Sequence, residues 1–525
     1  MGFTNLSHRL STSPQIRAEE VAEIAAAGFR SIICNRPDGE EQGQPTAEDI
    51  GAAARGAGLG FAHVPAVSGS ITDQDGLAMK RALDELPGPV LAYCRSGARS
   101  KTLAEMAGAL APHGPDCGSY DIVIVGGGSA GIATAASILK RNPKLSLAIV
   151  EPSEVHYYQP GWTMVGAGIF TREFTRRAEA RVIPQGANWI KASASGFAPD
   201  ENKVLLCDGG SVSYRVLIVC PGIKLDWDAI PGLRDTLGRN GVTSNYSYEF
   251  APYTRRLVKE LKGGRALFTQ PVMPIKCAGA PQKAMYLSCS IWEPAGVLKD
   301  IDVQFHTAGA VLFGVAAYVP ALIEYVERYG AHLNLESRLV AIDGPAKVAT
   351  FEQKRGNELK RVEERFDMIH VVPPQTAPDF VRSSSLAAPS GFVEVDEATL
   401  RHPRYPNVFA LGDACSASNA KTAAAVRKQA PVVAVNALAA LEGREPVADY
   451  DGYGSCPLTV EKGKIVLAEF GYGGKLLPSF PAWLIDGTRP SRLAWLLKDT
   501  ILPPVYWHGM LKGREWMVKP HLTST

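Results

Sequence analysis

Apolar runs typical of buried parallel strands alternate along this chain with stretches that have helical periodicity. The sequence DIVIVGGGSAGIATAASILK (121–140) has the pattern of a strand, a tight turn and an Ala-rich helix, and LSLAIVE (145–151) has that of the next parallel strand. Upstream, VAEIAAAGF predicts a helix, and SIIC, LGFAHVPA and PVLAYC predict three short strands. The pattern therefore predicts a small α/β domain followed by a larger α/β unit.

The boundary between these two units is predicted at residues 111–119. The segment APHGPDCGS is rich in Pro and Gly and has no periodic pattern, which is typical of a linker. We therefore predict a first domain over residues 1–112 and a second that begins at residue 119.

The pattern changes again from about Gly471, where aromatic and aliphatic residues alternate with Lys and Arg. The sequence SRLAWLLKDTILPPVYWHGMLKGREWMVK predicts two short amphipathic helices, broken by Pro503 and Pro504. Two interpretations are open. One is a helical cap on the core. The other is an interfacial membrane anchor with Trp and Tyr at headgroup depth and cationic side chains towards phosphate, namely Lys498, Lys512, Arg514 and Lys519.

Composition excludes several classes of protein. The chain has 525 residues, 55 Lys plus Arg against 53 Asp plus Glu, and 46% hydrophobic residues, which is globular and multidomain. The near-neutral formal net charge of +2 argues against a nucleic-acid partner. Nine cysteines are too few for a disulfide scaffold. The first residues lack a secretory pattern and no apolar run reaches about 18 residues, so we expect a reducing, cytoplasmic compartment.

A dinucleotide-binding motif follows the first strand of the larger unit. Gly126, Gly128 and Gly131 form GxGxxG, with Ser129 and Ala130 between the last two, and Glu151 ends the next strand. The glycines serve the tight turn, the approach of a pyrophosphate and close helix packing, and the acidic residue accepts hydrogen bonds from a ribose. We predict that this loop binds a dinucleotide cofactor.

A second motif identifies that cofactor as FAD. NVFALGDACS (407–416), followed by KTAAAVRKQA, resembles the second FAD fingerprint of flavoproteins with two dinucleotide-binding domains. The resemblance implies that Asp413, after Gly412, holds the ribityl chain, and that a helix start faces the flavin pyrimidine, with Lys421, Thr422, Ala423 and Ala424. IVCPG (218–222) resembles the strand end that carries an ATG motif in that superfamily, and Gly222 is the residue that matches it securely.

The site where NAD(P)H would bind lacks its glycines. After the predicted strand ALFT the chain reads QPVMPIKCAGAPQKAMY, with prolines where phosphate-binding glycines are needed and a cysteine, Cys277, in the loop. The sequence therefore disfavours NAD(P)H and predicts no metal site.

Several longer motifs resemble sulfide:quinone oxidoreductase of the mitochondrial-like type. They are HYYQPGWTMVGAG, SNYSYE, VMPIKCAGAPQKAMY, RYPNVFALGDA, KTAAAV and YGSCPLTVEKGKIVLAEF, within a resemblance over roughly residues 119–520. It implies an FAD-containing enzyme that oxidises sulfide to sulfane sulfur and reduces ubiquinone, and it favours the membrane-anchor interpretation, with peripheral docking at the inner membrane. A small acceptor, such as glutathione or sulfite, would remove the sulfur.

The resemblance also implies the redox residues. Cys456 receives sulfide and becomes a persulfide, and Cys277 is released as a thiolate against the flavin. Gln159 is implied to contact the cofactor, and Ala194 to present backbone to the adenine. Thiolate attack on a disulfide is the natural chemistry for HS⁻.

The first domain carries its own candidate nucleophile. YCRSGARS is a strand followed by a loop that opens a helix, an arrangement that cradles an anion and lowers a cysteine pKa. Cys94 would be the nucleophile and Arg99 the anion ligand, with rhodanese-like CxxxxR spacing. With IICNRPDGEEQGQP (32–45), the domain resembles the phosphatase-like domain of beta-lactamase-hydrolase-like proteins. Sulfur transfer is favoured, and phosphatase activity and a vestigial or regulatory role stay open.

The predicted fold class is thus α/β: a small phosphatase-like domain, a tandem Rossmann-like flavoprotein over residues 119–470, and amphipathic membrane-docking helices over residues 471–525. We predict an FAD-dependent sulfide:quinone oxidoreductase fused to a sulfurtransferase domain. The alternatives are a type II NADH:quinone oxidoreductase and a non-catalytic sulfide or redox sensor. The sequence leaves the oligomeric state open.

Overall fold

The computed structural model describes residues 3–7, 9–107, 116–356 and 358–523. The chain divides into two compact units, one formed by the described residues up to Gly118 together with Leu205–Val212, the other by Ser119–Val204 and Ser213 onwards. Most of the predicted linker, residues 111–115, lies outside the described residues, and its last residues belong to the strand Asp116–Val125.

The smaller unit is one sheet with helices around it. Its strands and helices, in chain order, are β1 (Thr4–Ser7), β2 (Leu10–Ser13), α1 (Val21–Ala26), β3 (Ser31–Cys34), α2 (Ala47–Gly56), β4 (Gly60–His63), α3 (Asp73–Glu85), β5 (Val90–Tyr93) and α4 (Ala98–Met106). The strand order is β1-β2-β5-β3-β4, parallel except for the β1–β2 pair. The central strand β5 is buried along its length, and its carboxyl end delivers Cys94 to the start of α4.

The larger unit begins with the strands and helices of its first half. In chain order they are β6 (Asp116–Val125), α5 (Ser129–Arg141), β7 (Leu147–Val150), β8 (Val155–Tyr157), α6 (Trp162–Gly166), β9 (Arg176–Ala178), β10 (Ala187–Ile190), β11 (Ala194–Ala198), β12 (Lys203–Leu206), β13 (Ser211–Val219), β14 (Lys224–Leu225), α7 (Leu233–Thr236), β15 (Val242–Thr243), α8 (Ala251–Glu260), β16 (Gly264–Gln270) and α9 (Ala280–Trp292).

The remaining elements complete two sheets and a hairpin. They are β17 (Ile301–Thr307), α10 (Val319–Arg328), β18 (His332–Asn334), β19 (Ser337–Asp343), β20 (Val348–Arg355), β21 (Glu358–Arg365), β22 (Met368–His370), β23 (Gln375–Thr376), α11 (Asp379–Arg382), β24 (Val408–Ala410), α12 (Ala423–Leu441), β25 (Ala448–Asp449), β26 (Gly454–Glu461), β27 (Lys464–Phe470), α13 (Arg492–Leu496), α14 (Leu502–Pro504) and β28 (His521–Leu522).

Two largely parallel sheets define the architecture of this unit. The first has the order β10-β7-β6-β13-β12-β11, with β24 paired to β13, and the second has the order β15-β22-β16-β17-β18. Single helices connect several neighbouring parallel strands, namely α5 between β6 and β7, α9 between β16 and β17, and α10 between β17 and β18. This is the predicted tandem Rossmann-like fold, and the predicted α/β class is confirmed. The hairpin β26–β27 packs against α9 and carries Cys456.

The C-terminal segment is helical but does not break at the prolines. Helix α13 continues through π-helical turns at Leu497–Ile501 and Val505–Gly509, on either side of α14. These turns shift the hydrogen-bond register around residues that cannot donate, which accommodates Pro503 and Pro504. The predicted break there is wrong. None of the helices in the described ranges is long and apolar enough to cross a bilayer.

The same segment has one face in the core and one in solvent. Lys498 is only 5% exposed, and Tyr506 and Trp507 are buried, so the expectation that Lys498 points to phosphate and that these aromatic rings lie at headgroup depth is wrong. The exposed face instead carries large apolar side chains, among them Trp483, Leu493, Leu496, Ile501 and Trp516. Lys512, Arg514 and Lys519 are exposed, as predicted.

Candidate active sites

The glycine loop between β6 and α5 has the shape that a dinucleotide needs. Gly126 has a φ of +112°, and a Cβ there would lie 2.5 Å from the Cys220 carbonyl oxygen. A Cβ on Gly131 would collide with the Gly126 carbonyl oxygen, whereas at Gly128 it would meet nothing within 4 Å. The first and third glycines are therefore required by packing. The second leaves open space at the N-terminus of a 13-residue helix, which suits a pyrophosphate.

Glu151 lies beside this loop, as predicted. Its carboxylate accepts hydrogen bonds from the backbone N–H groups of Gly127, at 2.7 Å, and Ser153, at 2.8 Å. Burial raises the pKa of Glu151 above its ordinary value, although these two hydrogen bonds oppose the shift. Each oxygen keeps further acceptor capacity, so the carboxylate can still bind a ribose hydroxyl.

The second motif packs directly on the first. Gly412 has a φ of +71°, and a Cβ there would lie 3.3 Å from the Cβ of Ala130, at the start of α5. The Gly412 N–H donates to the Gln429 side chain, whose amide nitrogen is buried and has no hydrogen-bond partner in the described chain. Two segments nearly 300 residues apart thus form one site. The open space at Gly128 and this unpartnered amide fit an FAD.

Asp413 and Lys421 occupy this junction. Burial raises the pKa of Asp413, and the nearby ammonium groups of Lys421 and Lys276 oppose that shift. Lys421 donates from Nζ to the Cys415 carbonyl oxygen at 2.9 Å, and its own carbonyl oxygen accepts the N–H of Cys277. Thr422 caps α12, with Ala423 and Ala424 in the first turn. The loop that carries Cys277 is therefore tied to the second motif.

The other predicted cofactor residues lie on separate elements. Gln159 accepts a hydrogen bond from Lys276 Nζ at 2.6 Å, which brings it next to the Cys277 loop. Gly222 has a φ of +81°, in the loop after β13. Ala194 begins β11. The roles of these residues stay predictions.

The two predicted redox cysteines meet between α9 and β26. Their sulfur atoms are 3.8 Å apart, and both are free thiols in this structure. The hydrogen bond from the Cys456 thiol and the Lys283 ammonium hold the pKa of Cys277 well below the ordinary thiol value, despite burial. The bond to Cys277 and burial raise the pKa of Cys456. Ionisation of the pair is thus favoured at Cys277 over Cys456.

Two buried lysines act on this pair, of which sequence reasoning missed Lys283 and assigned Lys498 to the membrane surface. Lys283 Nζ lies 3.1 Å from the Cys277 sulfur and 3.7 Å from the Cys456 sulfur. The two sulfurs raise its pKa against the effect of burial, so it stays an ammonium. Lys498, from the C-terminal segment, has its pKa lowered to about 8 by burial and by the Lys283 charge, while the cysteines oppose the shift. The only sequence signal for Lys283 was its place in the KCAGAPQK motif.

Backbone geometry holds the cysteines in position. Cys277 has a φ of +50°, the left-handed region that side chains other than glycine rarely occupy. At Gly279, the N-cap of α9, a Cβ would lie 2.5 Å from the Cys456 sulfur and would collide with Leu458. The Gly279 N–H donates to the Cys456 sulfur and lowers its pKa, in opposition to the larger raising effects. Glycine is therefore required for Cys456 to approach α9.

Lys276, also missed, lies in a pocket of aromatic rings beside Cys277. Its Nζ is 5.4 Å from the centre of the Trp162 ring and 5.7 Å from that of Tyr246. Burial lowers the pKa of Lys276 to about 8, opposed by Asp413 and Cys277. The Tyr246 hydroxyl donates to the carbonyl oxygens of Lys276 and Cys277, which fixes this stretch of backbone.

The smaller unit has a second thiol site at the start of α4. Gly97, with a φ of +89°, directs its N–H at the Cys94 sulfur, 3.1 Å away. Burial raises the pKa of Cys94, but hydrogen bonds from the backbone of Ser100 and Ser96 outweigh it, so the pKa lies below the ordinary thiol value. Arg99 is buried and donates to the Ala66 carbonyl oxygen and to Glu40.

Comparisons with known proteins agree with this arrangement. Residues 2–111 match the model of the beta-lactamase hydrolase-like protein, phosphatase-like domain. The chain is 43% identical over 401 residues to the mitochondrial sulfide:quinone oxidoreductase of Dictyostelium discoideum, covering 76% of this chain and 87% of that one. It is 37% identical to the mouse mitochondrial sulfide:quinone oxidoreductase, covering 78% and 91%.

A solved structure agrees on the fold. The sulfide:quinone oxidoreductase of Aquifex aeolicus superposes with a TM-score of 0.63 at 18% identity, covering 77% of this chain and 97% of that one. Two dinucleotide-binding motifs that meet on the first of two Rossmann-like sheets are typical of a flavoprotein oxidoreductase. Within that class, the chain belongs to the sulfide:quinone oxidoreductase family, and it carries a beta-lactamase-hydrolase-like phosphatase-like domain at its N-terminus.

Proposed function

We propose that this chain binds FAD, oxidises sulfide at Cys277 and Cys456, and passes the electrons to ubiquinone. The observation that carries the proposal is the 3.8 Å contact between the two sulfurs, with the Lys283 ammonium against both. A buried thiol pair with one ionised member and a fixed cation is suited to thiol–disulfide exchange. The mitochondrial relatives support the choice of sulfide and quinone as substrates.

The sulfide step begins from the oxidised pair, with a disulfide between Cys277 and Cys456. HS⁻ attacks the Cys456 sulfur, a new S–S bond forms there, and the bond between the cysteines breaks. The electron pair of that bond leaves on Cys277 as a thiolate, and the proton of HS⁻ goes to solvent. Sulfide is thereby oxidised to the sulfane level and the disulfide is reduced. The Lys283 ammonium and the Gly279 N–H stabilise the sulfur anions that result.

Completion of the cycle needs a sulfur acceptor and an electron acceptor. A small nucleophile such as glutathione or sulfite attacks the outer sulfur of the Cys456 persulfide, and the Cys456 thiolate leaves. FAD, when bound, supplies the two-electron redox chemistry that links the cysteine pair to ubiquinone. The residues that would hold it are the glycine loop with Glu151, the Gly412–Asp413 turn and the start of α12.

The C-terminal segment supports docking at a membrane surface, where ubiquinone is found. Its exposed side chains include Trp483, which is 85% exposed, and four others that are large and apolar: Leu493, Leu496, Ile501 and Trp516. Exposed apolar groups next to cations such as Lys512 and Arg514 are typical of interfacial binding. We propose that this face lies on the inner membrane.

A turnover assay tests the proposal. FAD-loaded protein is given sulfide and a soluble ubiquinone analogue, with sulfite as sulfur acceptor, and quinone reduction is followed with sulfide or NADH as the electron donor. We expect turnover with sulfide alone. Turnover with NADH alone would make this a pyridine-nucleotide dehydrogenase. A reaction with sulfide that does not turn over on quinone would make it a sensor.

For the smaller unit, we propose sulfur transfer at Cys94. The low pKa that backbone N–H groups confer on this thiol supports a nucleophile, and a persulfide product of the oxidoreductase reaction would supply a substrate. The test is Cys94→Ser, which should abolish sulfur transfer from thiosulfate or a persulfide to cyanide and leave sulfide-dependent quinone reduction intact. Transfer that persists in the variant would remove Cys94 from this role.

A further inference from the structure

A glutamate pairs with Arg99, the cationic group that a sulfur or phosphorus oxyanion would bind at the Cys94 site. The loop after β3 sends Glu40 to the buried guanidinium of Arg99, with Arg99 Nη2 donating to Glu40 Oε2 at 2.8 Å. The same oxygen accepts from Arg36 Nε at 2.6 Å. Arg99 and Arg36 hold the pKa of Glu40 below its ordinary value, so Glu40 is an anion at neutral pH. The positive charge of Arg99 is therefore already neutralised inside the protein.

The other arginines of this cradle are paired with carboxylates as well. Glu41 accepts from Arg36 Nη2 at 2.8 Å and lies 3.7 Å from Arg95 Nε. Asp38, in the same loop, accepts the N–H of Ala47. Each of the three arginines thus has a carboxylate partner, Glu40 or Glu41, and Asp38 adds a third carboxylate to the same loop. Stabilisation of the Cys94 thiolate comes instead from neutral donors on the backbone.

A buried hydroxyl acts on the Cys94 sulfur. Ser100 is fully buried, its Oγ has no hydrogen-bond partner among the described residues, and its backbone N–H and its hydroxyl both lower the pKa of Cys94. With the N–H groups of the same turn, it forms a set of neutral donors around one sulfur. Neutral donors of this kind suit an anion of low charge.

We propose that Glu40 sets the donor class of the Cys94 site, favouring persulfides, whose reacting end is a monoanion, and excluding dianions such as thiosulfate and phosphate. This inference rests on the proposed sulfur transfer at Cys94. A dianion placed against Arg99 would also lie near the Glu40 carboxylate, and the repulsion doubles with the charge of the ligand. A persulfide meets half of that repulsion and needs only the neutral donors.

The transfer step balances without another reactant. The Cys94 thiolate attacks the outer sulfur of a persulfide R–S–S⁻, and a new S–S bond forms on Cys94. The bond to the inner sulfur breaks, and R–S⁻ leaves with the electron pair and takes a proton from solvent. With thiosulfate the leaving group would be sulfite, and the attacked molecule would carry two charges into the cradle.

The test compares Glu40→Gln with Glu41→Gln in the full chain. The amide introduced by Glu40→Gln keeps an oxygen for Arg99 but carries no charge, and the Glu41 variant removes the same charge from the same loop without touching Arg99. Cys94 is alkylated with neutral iodoacetamide at increasing concentrations of sulfate, and mass spectrometry follows the reaction. The quantity compared is the sulfate concentration that halves the alkylation rate, called the half-protecting concentration. Perchlorate, a tetrahedral monoanion of similar shape, is measured alongside. Rates of transfer to cyanide from thiosulfate and from cysteine persulfide are measured on the same samples.

The charge of each anion sets the expected change in its half-protecting concentration. Glu40→Gln should lower the half-protecting sulfate concentration about tenfold and that of perchlorate about threefold, because the electrostatic energy scales with ligand charge. The thiosulfate rate should rise about tenfold and the persulfide rate at most about threefold, and a persulfide rate that is not lost also shows that the cradle is folded. Glu41→Gln should move each value less than about twofold.

Each other outcome has a definite meaning. Equal protection in wild type and Glu40→Gln, equal shifts for sulfate and perchlorate, or an equal effect of Glu41→Gln would overturn the role of Glu40. A sulfate shift of the expected size with no sulfur transfer from either donor would overturn the sulfurtransferase function and leave Glu40 as the group that excludes dianions.

Discussion

Lys283 places its ammonium nitrogen 3.1 Å from the Cys277 sulfur, although only 2% of the lysine is exposed. A buried charge is stable only when it is paired, and here the partner is the ionised thiol. The pair makes Cys277 the better leaving group when sulfide attacks Cys456, because a thiol of lower pKa leaves faster.

Removal of the Lys283 ammonium should therefore destabilise the Cys277 thiolate relative to the neutral thiol. Lys283→Met should raise the apparent pKa of Cys277 by about one unit or more and lower sulfide-dependent turnover at pH 7 about tenfold. Since the thiolate is the deprotonated form, lost activity should return as the pH rises.

The measurement for Lys283→Met is the pH profile of Cys277 alkylation in reduced protein. Lys283→Arg should restore part of the effect, and the exposed Lys299→Met is the matched control. A profile that does not move in Lys283→Met would show that Lys283 has only a packing role.

The approach of Cys456 to α9 predicts a strict need for glycine. In Gly279→Ala the new Cβ would lie 2.5 Å from the Cys456 sulfur, so the hairpin must shift away. We expect sulfide-dependent turnover to fall at least about tenfold, since displacement of reacting atoms by an ångström costs that much or more. Gly314→Ala, where a Cβ meets nothing within 4 Å, should keep normal turnover. Equal turnover in both variants would contradict the placement of Cys456.

The backbone donors around Cys94 predict a thiol that ionises early. Its alkylation should follow an apparent pKa below the value of about 8.5 for a free thiol. Cys207 of the same chain serves as the internal reference, because partial burial raises its pKa. Ser100→Ala should move the Cys94 midpoint up, so that less thiolate is present at pH 7. An alkylation midpoint for Cys207 that lies at lower pH than the midpoint for Cys94 would show that the backbone donors do not stabilise the Cys94 thiolate.

The exposed apolar face of the C-terminal segment predicts membrane binding. Trp483→Ser should weaken co-sedimentation with phospholipid vesicles about thirtyfold, since a buried aromatic side chain contributes about 2 kcal/mol. Leu359→Ser, which removes a side chain that is 72% exposed in the β20–β21 hairpin, is the matched control and should bind normally. Equal losses for the two variants would show that Trp483 has no special place at the membrane.

The sequence was informative where a motif requires one backbone shape. The glycine loop, the Gly412 turn and the tandem α/β fold could all be predicted, because left-handed φ values and close packing admit few residues. The contact between Cys277 and Cys456 could be predicted only through the family resemblance, since 179 positions separate them in the chain. Local pattern contains no such information.

Charged residues were predicted least well. Lys498 has the sequence context of an interfacial lysine, yet it turns inward to the cysteine pair, because two buried sulfurs can offset part of the cost of burying an ammonium. Glu40 has the context of a solvated loop, yet it pairs with Arg99. In both cases the partner comes from a distant part of the sequence, which periodicity and propensity do not report.

In the proposed reaction, sulfide reacts at the cysteine pair and the electrons reach quinone. The most direct measurement is an anaerobic visible spectrum of FAD-loaded protein during a sulfide titration, followed by addition of a soluble ubiquinone analogue. Wild-type protein should bleach with a long-wavelength charge-transfer band and recover with quinone. Cys277→Ser and Cys456→Ser should bind FAD and fail to cycle, while Cys289→Ser, a buried thiol on α9, should behave as wild type. A spectrum that sulfide leaves unchanged would show that sulfide does not reduce the flavin, and a normal cycle in either redox variant would show that these two cysteines are not the reacting pair.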